Sequence, residues 1–278
     1  MKIKKSLITL ADPNQRNLPL QTLLDQEGKK RTALELVIKE AVSAGTEEVG
    51  LVICPGTQDV YSKAAGVYAD RIHFIVQELP TGYAQAILSA KAFIGNEPFL
   101  HLVGDHLCVS QNEIGCALQI VNVAEAKGVS VAGVQATRES QLSSFGAIGG
   151  RLSGRTTGLY EVERVLEKPS PTEAELKILV PGLRAGFYLC FFGIHALQPS
   201  IFSVLEETTR LEGPQERSLS TALDQLCKHE KLLALEVDGS RYDVGADYGL
   251  LFAQLALSFA GKDRDRVLSS LVEMLAQK

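Results

Sequence analysis

Residues 6–11, SLITLA, form a short apolar run with β-branched side chains, and residues 12–19, DPNQRNLP, follow it as a loop without glycine. An apolar run of this length is typical of a strand that is buried on both faces of a sheet. Four more such runs follow along the chain. They lie at residues 48–55, 72–76, 99–104 and 129–136.

Segments with helical spacing separate these runs, and three of the four close on a glycine, which often ends a helix. They lie at residues 31–45, 59–70, 84–95 and 112–128. Repeated strand, helix and strand units pack as parallel strands joined by right-handed crossovers. The first half therefore predicts an α/β fold with a doubly wound, mostly parallel, Rossmann-like sheet.

The second half has a different pattern. Residues 144–150, 155–169 and 183–193 are strand-like segments interrupted by glycines, which predicts an antiparallel β ribbon that covers the sheet. C-terminal helices are predicted at residues 195–209, at 218–229 and from 246 to the end.

Nothing in the sequence divides the chain, since it has no internal repeat and no Pro/Ser-rich linker. We expect a single domain over residues 1–278, with residues 1–140 and 141–278 as its two halves.

Charge and composition exclude several kinds of partner. A net charge of −5 over 278 residues leaves no basic face for nucleic acid or for an anionic membrane. The five cysteines are dispersed and form no C-x-x-C pair, which indicates buried thiols in a reducing compartment. The N-terminal apolar run is too short for a signal peptide or a membrane span. We therefore expect a cytoplasmic protein.

Ligands of open parallel sheets bind beyond the carboxyl ends of the strands. Asp105 follows one predicted strand directly, and Asp243 lies between a short strand and the last helical segment. Two such carboxylates could hold one Mg²⁺ beside phosphates. Each could equally cap the element that follows it, and the spacing alone favours capping.

Two further segments carry polar groups that suit a ligand. Glu167 and Lys168 stand side by side before Pro169, where they could bind sugar hydroxyls and a phosphate or could form a solvated charge pair. Gln77 and Gly82 could read a nucleobase edge and lie against its ring, or could form an ordinary turn into a helix.

The order of these motifs resembles the bacterial UTP-glucose-1-phosphate uridylyltransferases and, more broadly, the sugar-phosphate nucleotidylyltransferases. The resemblance covers nearly the whole chain. It rests on Q-x-x-P-x-G-x-x-x-A at 77–86, L-V-G-D at 102–105, E-K-P at 167–169, A-G-F-Y-L at 185–189 and R-Y-D-V-G at 241–245.

The resemblance implies a fold of the nucleotide-diphospho-sugar transferase type and three sets of site residues. The catalytic residues would be Arg16, Asp105 and Asp243, with Mg²⁺ held by the two aspartates. The nucleotide would be bound by Ala11, Gln77, Gly82 and Gly104, in the half at 1–140. The sugar phosphate would be bound by Glu167, Lys168 and Gly186, in the half at 141–278.

The implied reaction is attack of a sugar 1-phosphate oxygen on the α-phosphorus of UTP, with release of pyrophosphate. It needs positioning and charge neutralisation and no covalent nucleophile. The implied partners are UTP or a UDP-sugar, a hexose 1-phosphate and further copies of the chain in a homo-oligomer. Gln77 would also suit thymine, so a thymidylyltransferase is a further alternative.

The loop after the first strand departs from the family's G-x-G-T-R. Arg16 is kept, but Asp12 and Asn14 occupy the glycine positions, and Pro13 removes an N–H group. Backbone N–H groups hold a triphosphate in such loops, and Asp12 would repel it. We expect Asn14 to be able to adopt a left-handed conformation.

The lysine segment that follows in the family is missing, and Lys29 and Lys30 are the nearest cations. Two hypotheses follow. The chain is an enzyme with an altered phosphate loop, or it is an inactive relative that binds a UDP-sugar or a sugar phosphate and acts as a regulatory or partner subunit.

Overall fold

The structure, a computed structural model, describes residues 2–78, 82–154, 156–211 and 217–277. Pro80, in the segment that resembles the nucleotide-binding motif, lies outside the described residues. The strands are β1 (Lys5–Leu10), β2 (Thr22–Leu24), β3 (Lys30–Thr32), β4 (Glu48–Ile53), β5 (Ile72–Val76), β6 (Phe99–Val103), β7 (His106–Ser110), β8 (Ser130–Arg138), β9 (Ala147–Leu152), β10 (Leu159–Leu166), β11 (Phe187–Leu197), β12 (Leu232–Glu236) and β13 (Gly239–Asp243).

Ten α-helices accompany these strands in the described part of the chain. They are α1 (Ala33–Ser43), α2 (Gln58–Ala64), α3 (Tyr83–Leu88), α4 (Lys91–Ile94), α5 (Cys116–Lys127), α6 (Pro171–Lys177), α7 (Ile201–Thr208), α8 (Leu219–His229), α9 (Gly249–Phe259) and α10 (Arg264–Ala276). The predicted helix at 84–95 is thus two short helices, and the predicted C-terminal helix is α9 and α10.

Nine strands form one sheet, in the order β5-β4-β1-β6-β11-β8-β12-β10-β9. The first four strands are parallel, as the alternating pattern predicts, and β8 and β12 are also parallel. The other pairings are antiparallel. The prediction of a mostly parallel sheet therefore holds for the first half, and the sheet as a whole is mixed.

β11 lies inside the sheet, between β6 and β8, and not in a ribbon that covers it. The reason is its composition, because ten of its eleven residues are buried and a covering ribbon would expose one face. The prediction of a helix at residues 195–209 is wrong about where the helix begins. His195 and Ala196 pair with His101 and Leu100 of β6, and the helix α7 begins only at Ile201.

The inner strands β1, β4 and β6 are buried on both faces, as their apolar runs predict, whereas the edge strand β5 is mostly half-buried. Alternate residues of β1 show this, since Leu7 packs with α3, α7 and α8, whereas Ile8 packs with α1, α5 and α9. No helix among the described residues has the length and apolar character that crossing a bilayer requires. The five cysteines are free thiols.

A two-stranded ribbon of β7 and β13 projects from the carboxyl end of β6. The sequence pattern predicts a short strand before Asp243 but no strand after Asp105. The pattern of β7, His-Leu-Cys-Val-Ser, alternates between half-buried and buried residues, which is the signature of a strand with one exposed face. This ribbon determines where both aspartates lie.

Candidate active site

A cavity of about 730 Å³ opens at the carboxyl ends of β1 and β6. Its volume is in the range of ordinary ligand pockets. Seven of the ten site residues expected from the sequence line it, namely Ala11, Gln77, Gly82, Asp105, Glu167, Lys168 and Asp243. Residues as far apart in the chain as Ala11 and Asp243 thus converge on one space.

Arg16, Gly104 and Gly186 do not line the cavity. The Arg16 carbonyl accepts a hydrogen bond from the Tyr61 hydroxyl of α2 at 3.1 Å. Gly104 has a packing role, since a Cβ there would lie 2.0 Å from Cδ2 of Leu10. Gly193 of β11 lines the cavity, whereas Gly186, which directly precedes β11, does not.

The β7–β13 ladder brings the two aspartates together. Asp243 is the register partner of His106, and the Val244 amide donates to the Asp105 carbonyl at 2.9 Å. Ligand atoms of Asp105, His106 and Asp243 all lie within 4.8 Å of one another. The expected pairing of Asp105 and Asp243 in space is therefore present, and His106 is an additional member that the sequence analysis misses.

Asp105 is held as a carboxylate by its neighbours. Burial alone would raise its pKa, but hydrogen bonds from His106 and Gln15 and the charge of His106 lower the pKa below its ordinary value. His106 Nδ1 lies 2.7 Å from Asp105 Oδ1. Asp243 accepts a hydrogen bond from the Gly245 amide at 2.8 Å. Such a pair of oxygen ligands fits a hard divalent cation.

The loop after β1 uses its own amide groups. Asp12 Oδ1 accepts from the Asn14 amide at 2.8 Å, and the Asp12 carbonyl accepts from the Gln15 amide at 3.1 Å. Pro13 opens a short 3-10 helix, Pro13–Gln15, so the turn forms without the left-handed conformation that Asn14 could adopt. The amides of Asn14 and Gln15 are therefore already paired, because Asp12 caps this turn.

Lys29 and Lys30 lie away from the cavity, and neither lines it. Both belong to the β2–β3 hairpin, where the Lys29 ammonium pairs with Glu27 at 2.7 Å. Neither Lys29 nor Lys30 therefore takes the place of the lysine that the family has after this loop and this chain lacks.

Glu167 and Lys168 lie at the carboxyl end of β10. The Glu167 carboxylate accepts a hydrogen bond from the Ser220 hydroxyl of α8. Lys168 has a φ of +46°, in the left-handed region that non-glycine residues rarely adopt. Strained residues of this kind cluster at ligand sites.

Gln77 is buried, and its side-chain nitrogen has no hydrogen-bond partner among the described residues. Its backbone amide is fixed to the Ile53 carbonyl at 2.9 Å, as an extension of β5. Gly82 has a φ of +137°, which a side chain would disfavour. This end of the cavity thus has an amide donor without a partner in the described part of the chain, and a glycine at position 82.

Two buried histidines lie beneath the cavity, and the sequence gives no signal for either. His195 of β11 lines the cavity, and neither of its ring nitrogens has a partner among the described residues. His101 Nε2 lies 3.1 Å from the Tyr83 hydroxyl, and the two imidazole centroids are 5.6 Å apart. Burial lowers the pKa of His195 to about 3 and that of His101 well below its ordinary value, so both rings are neutral.

Comparison with known proteins identifies relatives over the whole chain. The sequence model of the family described as "Nucleotidyl transferase" matches residues 21–258. The UTP-glucose-1-phosphate uridylyltransferase of Bacillus subtilis (strain 168) is 29% identical, covering 100% of this chain and 97% of its own length. The enzyme of the same name from Streptococcus pneumoniae serotype 4 is also 29% identical, over 94% of this chain and 91% of its own.

Solved structures share the fold. A UDP-glucose pyrophosphorylase complexed with UDP-glucose superposes with a TM-score of 0.74 at 24% identity, covering 91% of this chain and 98% of its own. A UTP-bound UGPase from Acinetobacter baumannii also gives 0.74, at 19% identity, over 97% of this chain and 98% of its own.

Proposed function

Because the chain belongs to the nucleotidyl transferase family, we propose that it transfers a uridylyl group from UTP to glucose 1-phosphate and releases pyrophosphate. The observation that carries the proposal is the convergence of Asp105 and Asp243 on the cavity that Gln77, Glu167 and Lys168 also line. The names of the two curated relatives give the choice of UTP and glucose 1-phosphate.

The half at 1–140 holds the nucleotide in this proposal. The unpartnered Gln77 amide donates to the base, and Gly82 lets the ring approach the backbone. Ala11, at the end of β1, lies against the nucleoside. The pocket leaves uracil and thymine as alternatives, since both present the same groups to an amide.

The half at 141–278 holds the sugar phosphate. The Glu167 carboxylate, oriented by the Ser220 hydroxyl, accepts hydrogen bonds from hexose hydroxyls. The Lys168 ammonium neutralises the sugar phosphate and orients its oxygen toward the α-phosphorus. Gly193 takes the place that the sequence analysis gives to Gly186, because only Gly193 of the two lines the cavity.

Asp105 and Asp243 would hold the Mg²⁺ ion, and their oxygens are close enough to share one ion. Such an ion would neutralise phosphate charge as the bond to pyrophosphate breaks. Arg16 lies outside the cavity, so no catalytic role is proposed for it.

Pyrophosphate release tests the proposal. Purified protein is given glucose 1-phosphate, Mg²⁺ and either UTP or dTTP. Release with UTP that is lost in Asp105→Ala is the expected result, and faster release with dTTP would instead identify a thymidylyltransferase. No release with either nucleotide would reject the transferase proposal.

One observation favours a second candidate function, that of an inactive relative that binds a UDP-sugar as a regulatory or partner subunit. The loop amides that would meet the β- and γ-phosphates are paired with Asp12, whereas the groups proposed to bind uridine and sugar face the cavity. Calorimetry with UDP-glucose distinguishes the two. Micromolar binding without pyrophosphate release supports the second candidate.

We propose further that the protein self-associates through its C-terminal helices. Exposed apolar side chains lie on both of these helices. They are Leu251 and Phe252 of α9 and Leu268, Val272 and Leu275 of α10. Apolar side chains clustered on two neighbouring helices mark interaction surfaces. Sedimentation of the wild type and of Phe252→Lys tests this, and a monomeric wild type would reject it.

The free cysteines support a cytoplasmic location.

A further inference from the structure

His106 lies where a third protein ligand of the ion would lie. Its Nδ1 is 2.7 Å from Asp105 Oδ1, and ligand atoms of both residues and of Asp243 lie within 4.8 Å of one another. Two ligands bound side by side on one ion, each at about 2.1 Å, are about 3 Å apart. The observed spacing of nitrogen and oxygen is therefore close to that of neighbouring ligands.

The imidazole is held in this position by packing. Its ring meets the Phe145 ring edge to face, with centroids 6.2 Å apart and an interplanar angle of 74°. Gly193 of β11 lies beside the ring, since a Cβ at that position would be in ordinary van der Waals contact, 3.5 Å from two carbons of the ring. Only 13% of the side chain is exposed. Nδ1 therefore faces the Asp105 carboxylate and not the solvent.

Pairing in the ribbon fixes the third member. His106 and Asp243 are register partners in the β7–β13 ladder, so their backbones cannot separate without breaking the ribbon. Residues that bind an ion from a rigid element need little reorganisation on binding. The set of one nitrogen and two carboxylates is thus assembled before an ion arrives. Binding of the ion to Nδ1 would displace the proton of the hydrogen bond between His106 and Asp105 to the solvent.

We propose that His106 is a ligand of the divalent cation and that the site consequently prefers a transition-metal ion such as Mn²⁺ to Mg²⁺. Imidazole nitrogen suits transition metals, whereas Mg²⁺ is bound in proteins almost entirely through oxygen. Mn²⁺ accepts both kinds of ligand. The proposal rests on the proposed function only in that Asp105 and Asp243 hold the ion.

Electron paramagnetic resonance of bound Mn²⁺ tests the proposal without measuring turnover. A directly bound histidine gives nitrogen modulation in the pulsed spectrum, and we expect it in the wild type and not in His106→Asn. Competition titrations should show that Mn²⁺ binds the wild type at least about tenfold more tightly than Mg²⁺, and that His106→Asn loses most of this preference.

The matched control is His73→Asn, because His73 is an exposed histidine of β5 that does not line the cavity. Its nitrogen modulation and its metal preference should equal those of the wild type. His106→Gln is measured beside His106→Asn, with thermal melts of both, so that misfolding of one variant does not decide the result.

Bound Mn²⁺ without nitrogen modulation in the wild type would overturn the proposal, as would an unchanged preference in a folded His106 variant. Pyrophosphate release with Mg²⁺ is measured in parallel. Turnover together with oxygen-only coordination would overturn the role of His106 and leave the proposed function standing. Failure of Mn²⁺ to bind, with and without UTP, would overturn both this inference and the metal role of the two aspartates.

Discussion

The Asp12 carboxylate accepts a hydrogen bond from the Asn14 amide, with 2.8 Å between Oδ1 and N. The Asp12 carbonyl accepts from the Gln15 amide in the same turn. One residue therefore places a negative charge at the phosphate loop and also occupies an amide that could bind a phosphate. Both effects disfavour a triphosphate.

Replacing Asp12 and Asn14 by glycine should strengthen UTP binding, because the change removes the charge and the side chain that occupies the amide of residue 14. We expect at least about a tenfold lower Kd for UTP, equivalent to about 1.4 kcal/mol. Calorimetry measures it. Asp12→Asn is the matched control, since an asparagine oxygen can still cap the turn while the charge is lost. Unchanged UTP affinity in the double variant would contradict this account of the loop.

Replacing Asp105 or Asp243 by asparagine should lower kcat/KM for pyrophosphate release by at least about 100-fold, because each variant removes one charged ligand of the proposed ion. Asparagine keeps the size of the side chain, so the fold should survive. Asp247→Asn is the control on the same segment, since Asp247 is exposed and does not line the cavity. Equal activity of Asp105→Asn and Asp247→Asn would count against the metal pair.

The first half of the fold could be predicted because its strands are buried on both faces and its helices have regular spacing. β11 could not be placed correctly, because an apolar run such as FYLCFFGIHAL does not state which strands it pairs with. Its antiparallel insertion between β6 and β8 is a long-range result of packing. The same insertion brings Gly193 and His195 to the cavity.

The pairing of Asp105 with Asp243 could be expected from the resemblance, but the contribution of His106 could not. The alternating pattern of β7 indicates a strand, but it does not indicate that this strand pairs with β13 and places His106 beside Asp243. The resemblance places Gly186 at the sugar phosphate, but Gly193 lines the cavity and Gly186 does not, because the register of β11 in the sheet determines which of its residues reach this space.

Replacing Lys168 by glycine should stabilise the fold while weakening the binding of glucose 1-phosphate. Lys168 has a φ of +46°, which costs a residue with a side chain about 1–2 kcal/mol, and glycine avoids most of that cost. We expect a gain of up to about 1 kcal/mol in the free energy of unfolding, measured by denaturant titration.

Lys168→Ala is the matched variant, because it loses the ammonium and keeps the strain. Both variants should bind glucose 1-phosphate equally weakly in calorimetry, and Lys168→Gly should be the more stable of the two. A less stable glycine variant would show that the left-handed conformation stores no strain.

His195 and His101 should make the protein less stable as the pH falls below neutrality. Burial holds the pKa of His195 at about 3 in the folded state, against about 6.5 in the unfolded chain. The unfolded state therefore binds more protons in that interval, and stability is lost as the pH falls from 6.5 toward 3. At pH 5 the buried His195 costs about 2 kcal/mol of the free energy of unfolding, and His101 acts in the same direction. Between pH 7 and pH 5 the free energy of unfolding, measured by denaturant titration, should fall by about 2 kcal/mol more in the wild type than in His195→Leu. The control is His229→Leu, which removes an exposed histidine and should behave as the wild type. The same loss of stability at pH 5 in all three proteins would mean that His195 is protonated in the folded state.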